Sequence, residues 1–389
     1  MKFGQLEMSL VIVTLLVGCE SSPTAQHHPI SPLASITSSG SVIEVSPTST
    51  PADLEIVRAA IQAARPGDIV HLNAGTFDFS NAFAWGDQGI DNRICLKSHL
   101  TIEGEPGTVI QGPGRDYPPP GEGMSEAFTG GGSIMGVPCP IYNHVTIREL
   151  AFRDLSRGVD FALQETSDGH VIPIEGVRVT SNTFENMYLG IVAGGCLRGS
   201  VITGNTLKGV GTGIYVNAMW AQVHGPSDLL ISKNDIAAEN VGIQLVIHEP
   251  GNPSQLLGIS ILRNKLFGYS GGIRVSSGDP LIAENEIVAH EYGIAFQHWI
   301  DENPRSVANA IVRANRISLV EPVWPSSASI VLDHGAHDNL VVGNPILGVQ
   351  GNLADILLTS STHDNIVMAP SPRLVIVDNG TNNQVTGPN

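Results

Sequence analysis

From about residue 145 onward the chain repeats one order of positions: apolar, any, apolar, two others, Asn, any, apolar, a turn, then Gly-Ile-any-apolar. The Asn falls at Asn182, Asn205, Asn234, Asn264, Asn285, Asn315 and Asn344, at intervals of 21 to 30 residues. Three positions earlier stands Val179, Ile202, Ile231, Ile261, Ile282, Val312 or Val341, and two later Phe184, Leu207, Ile236, Leu266, Ile287, Ile317 or Ile346. A position that is apolar in every copy faces a core, and β-branched side chains dominate because stacked parallel strands pack them well. The period is that of one solenoid coil, and the pattern runs in one direction without hairpin turns, so it argues against a sandwich or propeller. Asparagine recurring at one turn passes hydrogen bonds from coil to coil, so these residues are read as structure rather than chemistry.

A further strand of each coil follows at Gly190-Ile191, Gly213-Ile214, Gly242-Ile243, Gly272-Ile273 and Gly293-Ile294, with Ser329-Ile330 and Asp355-Ile356 as degenerate copies. With the Ile inward, the next residue points out: Asp160, Val192, Tyr215, Gln244, Arg274, Ala295 and Val331 are expected to form an exposed column. Two residues further on come Ala162, Gly194, Asn217, Val246, Ser276, Gln297 and Asp333. Ahead of the repeats, Thr50-Pro51-Ala52-Asp53 reads as a variant capping box, and Leu54, Val57, Ile61 and Ala64 give one apolar helical face ending at Pro66-Gly67. Coils without the Asn are expected at 99–112 and 144–163, separated by a Gly/Pro-rich insert, 112–136, expected as a surface loop. The domain is thus set at 49–389, with an N-terminal cap at 49–80, regular coils at 144–360 and a frayed C-terminal cap at 361–389.

Composition agrees with this architecture: 43 glycines and only 15% charged residues suit short strands and tight turns. A formal charge of -17 repels phosphate backbones, so nucleic acid is a poor partner. Cys95, Cys139 and Cys196 have no metal-ligand spacing; either Cys95 pairs with Cys139 across the insert or all three are buried thiols.

Residues 1–18 read as an export signal whose apolar core is too short to span a bilayer. Leu16-Val17-Gly18-Cys19 resembles the lipobox of bacterial lipoproteins, which implies lipidation at Cys19. The tract 19–48 is rich in Ser, Thr and Pro and reads as a flexible tether. The resemblance implies a body anchored in a membrane of the bacterial cell envelope, facing periplasm or exterior, with the lipid as its only membrane contact.

The amphipathic helix, the Pro66-Gly67-Asp68 turn with its strand, and the Ala74-Gly75-Thr76 turn resemble the first coil of pectin-lyase-like β-helix proteins. Together with the repeats this likeness spans about residues 50–370 and implies an all-β, single-stranded right-handed parallel β-helix with an N-terminal capping helix. That superfamily includes pectate, pectin and alginate lyases, polygalacturonases, epimerases, phage tailspikes and noncatalytic members. The chain departs from its best-marked enzymes: it lacks the Asn-Thr-Asp and Gly-His-Gly pair of polygalacturonases and the Arg and Lys motifs of the lyases.

Candidate chemistry therefore rests on placement. Loops leaving the Gly-Ile strand carry Glu165, Asp168, Trp220, His248, Glu249, Trp299 and Asp301 and are expected to stack as one wall. Flat aromatic faces beside amides and guanidinium suit a sugar polymer, so Tyr215, Asn217, Trp220, Gln244, His248, Glu249, Gln297 and Trp299 are read as substrate-binding. Arg274 and His298 are candidates for base and acid in β-elimination, with Asp333 orienting an imidazole such as His334; Glu249 and Asp301 are the rival carboxylate pair for hydrolysis. Asp160, Glu165 and Asp168 offer oxygens to Ca²⁺ but have no ligand-loop spacing, so no metal or cofactor is assigned. The expected protein is a monomer that binds an extended polysaccharide and either cleaves it, epimerises it or leaves it intact. A noncatalytic adhesion module and a periplasmic accessory protein are the rival classes.

Overall fold

The computed structural model describes residues 40–82, 94–115, 125–130, 139, 142–161, 164–165, 171–218, 225–247, 256–297, 306–322, 327–347 and 354–387. Those residues form a right-handed parallel β-helix of three faces. The first face is a sheet of 13 parallel strands running from Val42–Val45 to Gln384–Thr386. The second and third faces merge into one 18-stranded sheet, because Thr183–Ala193, Thr206–Ala218 and Asp235–Ile247 each bend around a corner from one face to the next. The bend in the middle strand pair coincides with register shifts around Val210.

The apolar columns stack as their periodicity predicts. Val179, Ile202, Ile231, Ile261, Ile282, Val312 and Val341 are register partners in succession on the first face. Ile191, Ile214, Ile243, Ile273, Ile294, Ile330 and Ile356 do the same on the third. All of these side chains lie in one continuous buried core.

Along the corner between the first and second faces, each ladder Asn from Asn182 to Asn315 donates from Nδ2 to Oδ1 of the Asn one coil on. The distances run from 3.1 Å for Asn182 to Asn205 to 2.9 Å for Asn315 to Asn344. The residue before each ladder Asn is in the left-handed region, including Lys233, Arg263, Glu284 and Ala314 with φ between 53° and 57°. Backbone strain there is tolerated because the next residue's amide closes the turn. A second ladder, Asn339 to Asn365 at 2.9 Å and Asn365 to Asn383 at 3.0 Å, runs along the turn that leads into the first face. Its signal was present in the repeated pairs Asp338-Asn339 and Asp364-Asn365, each followed by an apolar run. The C-terminal stretch therefore continues as ordered coils where a frayed cap was expected, with Ile366–Met368 and Gln384–Thr386 in the first sheet.

Two other expectations are corrected. The insert expected as a surface loop contains Glu126–Gly130, a buried strand that pairs in parallel with Arg157–Phe161 and Ile94–Cys95. Five residues flanked by Gly and Pro are too short for periodicity to reveal. At the other end, strand Val42–Val45 pairs with Ile69–Leu72 inside the tract that composition assigns to the tether. Cys95 and Cys139 form a disulfide with Cα atoms 5.3 Å apart across 44 residues. In the chain-entropy model such a closure stabilises the fold by about 4 kcal/mol.

The helix Ala52–Ala63 buries Leu54, Val57, Ala60 and Ile61 over the end of the core. Only half of the expected capping box forms: the Asp53 carboxylate accepts from the Thr50 backbone, but the Thr50 side chain pairs with Thr48 Oγ1, and the buried carboxylate also accepts from Thr48 N at 2.7 Å, Thr48 Oγ1 at 2.6 Å and Asp78 N at 3.0 Å. Burial pushes the Asp53 carboxyl up, but these donors outweigh it and hold it below its usual 3.8. A carboxyl lowered on folding stabilises the native state above its unfolded pKa, and the contribution is lost as pH falls through the folded value. Asp53→Ala is expected to cost about 2 to 3 kcal/mol at neutral pH. The deficit should shrink in urea melts taken at about pH 2. An equal deficit at both pH values would show that the carboxylate charge is not what holds the helix.

Candidate functional site

The outer surface of the third face carries the polar strip. Asp160, Val192, Tyr215, Gln244, Arg274, Ala295 and Val331 are register partners in that order. The column is therefore real, but its expected exposure is not. Asp160 is 3% and Gln244 5% exposed, and Ala295 is fully buried. Pointing away from a solenoid core does not by itself leave a side chain in water: Val241, Tyr292, Ala295, Ala328 and Val331 form a second apolar cluster outside the core. Solvent reaches Tyr215, Arg274, Gln297 and Asp333 in part.

At the N-terminal end of the strip, Arg157 lies between Glu126 at 3.2 Å and Asp160. Burial pulls its guanidinium down, while the two carboxylates raise it beyond its usual range. Arg157 and Glu126 escaped sequence reasoning because one precedes the Gly of its strand and the other sits in the insert. Burial pushes the Tyr215 hydroxyl up to about 12, opposed by the charge of Arg157, with Asn217 hydrogen-bonded beside it. Further along, the Arg274 guanidinium lies 5.2 Å from the centre of the Tyr292 ring, and burial raises that hydroxyl to about 12 against the charge of Arg274. The ring leans over Gly271, where a Cβ would meet it at 2.0 Å.

The corner between the second and third faces is edged by aromatics that the sequence reading missed. Tyr188 is 54% and Tyr269 53% exposed. Tyr269 packs on His290 with ring centres 4.7 Å apart.

Asp333 stands two coils beyond Arg274, and the pair is not brought together. Its Oδ1 accepts from Thr359 Oγ1 at 2.5 Å and Ser361 Oγ at 3.2 Å, and its Oδ2 lies 3.3 Å from His334 Nδ1. The expected contact between Asp333 and a neighbouring imidazole is thus present, away from Arg274. His298, Trp220, His248, Glu249, Trp299, Asp301, Asp168 and Cys19 lie outside the described residues. Among the described residues, no three His, Cys, Asp or Glu side chains gather as a metal site. No described helix is long and apolar enough to cross a membrane.

No family model matches the chain, and no curated protein matches its sequence. Solved structures do match its fold. An alginate lyase from Paenibacillus sp. str. FPU-7 superposes with a TM-score of 0.56 at 13% identity, covering 82% of this chain and 98% of that one. A tailspike protein mutant of E. coli bacteriophage HK620, in complex with pentasaccharide, gives 0.58 at 15% identity, over 88% of this chain and 62% of the tailspike. The chain has the parallel β-helix fold of these proteins. PfbA, a surface adhesin of Streptococcus pneumoniae, shares the architecture with a TM-score of 0.53 at 12% identity, over 86% of this chain and 87% of the adhesin. Such low identities carry the fold and leave the chemistry to the residues of this chain.

Proposed function

We propose that this β-helix binds an extended glycan along the outer surface of its third face. The observation that carries the reading is that solvent reaches Tyr215 and Arg274 in one register column, with Gln297 beyond them, flanked by the exposed rings of Tyr188 and Tyr269. Aromatic faces take the apolar side of a pyranose, and amide and guanidinium groups take its hydroxyls. Adjacent coils are separated by about 4.8 Å, close to the length of one sugar ring, so Tyr215 and Arg274, two coils apart, are spaced to meet alternate sugars of a polymer lying along the solenoid. The charge of -17 disfavours a polyanionic chain, so a neutral or weakly charged glycan is the favoured ligand. Structural neighbours that include an alginate lyase and a tailspike with bound pentasaccharide support the ligand class.

The reading is one of binding. Arg274 is engaged with Tyr292 and Asp333 with Thr359, so the described strip supplies no paired acid and base. Beyond the strip, the sequence offers His298 for elimination and the pair Glu249 and Asp301 for hydrolysis. Lipidation at Cys19 would hold the protein at the bacterial envelope and present the strip to surface or periplasmic polysaccharide.

A glycan array followed by titration calorimetry tests the proposal. Tyr215→Ala and Arg274→Ala are each expected to weaken the best ligand about tenfold, roughly 1.4 kcal/mol. Unchanged affinity in both variants would move the site elsewhere. Incubation with the same ligand separates the classes: unsaturated ends absorbing in the ultraviolet mark a lyase, new reducing ends alone a hydrolase, and neither marks a binding module.

A further inference from the structure

We propose that Ser306 is a nucleophile activated by His337, and that the pocket around it cleaves carboxylic esters. Ser306 Oγ lies 3.1 Å from His337 Nε2, and His337 Nδ1 lies 2.7 Å from Asp338 Oδ2. An ionised carboxylate can only accept, so Nδ1 carries the ring proton and Nε2 presents its lone pair to the serine. Ser306 is therefore the donor, the arrangement a general base needs. The His337 ring lies flat on His363, with centres 4.9 Å apart and planes 3° from parallel, and His363 is itself held by Asp364 at 2.9 Å. The serine and both rings line an open pocket of about 710 Å³ together with Asp333, His334 and Ser361. The His337 side chain is 29% exposed, so a substrate can reach it.

The repeat of the fold accounts for the histidines, and Ser361 recurs two coils on at the register position of Ser306, so what singles out Ser306 is the His-Asp pair in the coil that follows it. His337 and His363 occupy equivalent positions, bridged in parallel with Ala308 on one side and Thr381 on the other, and each takes the Asp that follows it. Opposite Ser306, the next coil carries Gly335, whose added Cβ would lie 3.8 Å from that of the serine. The coil thus closes without a hydroxyl at this position. Among the described residues of this column, the hydrogen-bonded series of hydroxyl, His and Asp is completed at Ser306, His337 and Asp338.

In the proposed reaction Ser306 Oγ bonds to the ester carbonyl carbon and its proton passes to His337 Nε2. The carbon to alkoxy bond breaks, and the alcohol leaves with that proton. Water then loses a proton to Nε2, attacks the acyl group and releases the carboxylic acid, and the proton returns to Ser306. The backbone N–H of Gly335 is already taken by Ser361 Oγ at 3.2 Å and that of His334 by Asp333 Oδ1 at 2.7 Å, so neither of these amides is free for the oxyanion. Turnover is accordingly expected to be slow, and acylation is the step to measure.

The proposal stands apart from glycan binding, since the third-face strip can hold a sugar chain without it. The full chain is treated with a fluorophosphonate probe and with p-nitrophenyl acetate. The expected result is one modified residue, Ser306, by peptide mass, with none at that site in Ser306→Ala. His337→Ala, or His337→Gln where the alanine variant fails to fold, should slow acylation about 100-fold or more. Asp338→Asn should slow it less, because the amide still occupies the place of the carboxylate. An unmodified Ser306 in the folded wild-type chain overturns the proposal, as does equal acylation in the His337 variant. Loss of glycan affinity in Tyr215→Ala with acylation intact would show the two sites to be independent.

Discussion

Asn264→Ala is expected to lower stability by about 4 kcal/mol, because it orphans two buried donors at once. Asn264 Oδ1 accepts from Asn234 N at 3.0 Å and from Asn234 Nδ2 at 2.9 Å, while its own Nδ2 donates to Ile231 O and to Asn285 Oδ1, both at 3.0 Å. Asn264 is 1% exposed, so water cannot replace these partners. Asn383→Ala, at the end of the second ladder and partly exposed, should cost only about 1 kcal/mol. Urea denaturation read at both the midpoint and the slope separates loss of stability from splitting of the solenoid into two cooperative units. A cost at Asn264 no larger than at Asn383 would mean that the ladder is a consequence of the coil geometry and does not support it.

Arg157→Ala should be of similar size, about 3 to 5 kcal/mol, for an electrostatic reason. The Glu126 and Asp160 side chains are 2% and 4% exposed, and Arg157 is the cation between them. Its removal leaves two buried carboxylates facing each other, which raises their pKa values above those of the unfolded chain. A carboxyl raised on folding costs stability where it is ionised and returns that cost when protonated, so the deficit of Arg157→Ala should narrow as pH falls below about 5. Both contacts come from Arg157 Nη1, so Arg157→Lys should recover part of the loss, limited by the shorter reach and stronger hydration of the ammonium. Adding Glu126→Gln to Arg157→Ala should recover more, because it removes the repulsion itself. Thermal melts across this pH range decide the matter; a deficit independent of pH would assign the effect to lost packing.

Both predictions mark how far the chain was legible before its structure. The ladder from Asn182 to Asn344 and the columns above and below it were readable because each coil must bury its own apolar positions, and that requirement repeats every 21 to 30 residues. The cap helix was readable for the same reason, as one apolar face ending at a turn, although the full role of Asp53 was not: its partners Thr48 and Asp78 lie outside the capping-box spacing. The short strand Glu126–Gly130 was hidden because five residues do not make a period.

The outward column of the third face was placed correctly by alternation, which is a local property of a strand. Which of its members meet water was decided by tertiary structure alone: Asp160, Gln244 and Ala295 are buried while Tyr215 and Arg274 in the same column are partly exposed. The same holds for chemistry. Ser306 faces His337 across 31 residues of sequence, and Arg157 faces Glu126 across another 31, and nothing periodic marks either pair. A repeating core determines the stacking of coils from sequence, because each copy obeys the same burial constraint. Side chains that occur once acquire partners only when the coils settle into register, and so the sites were visible only in the folded chain.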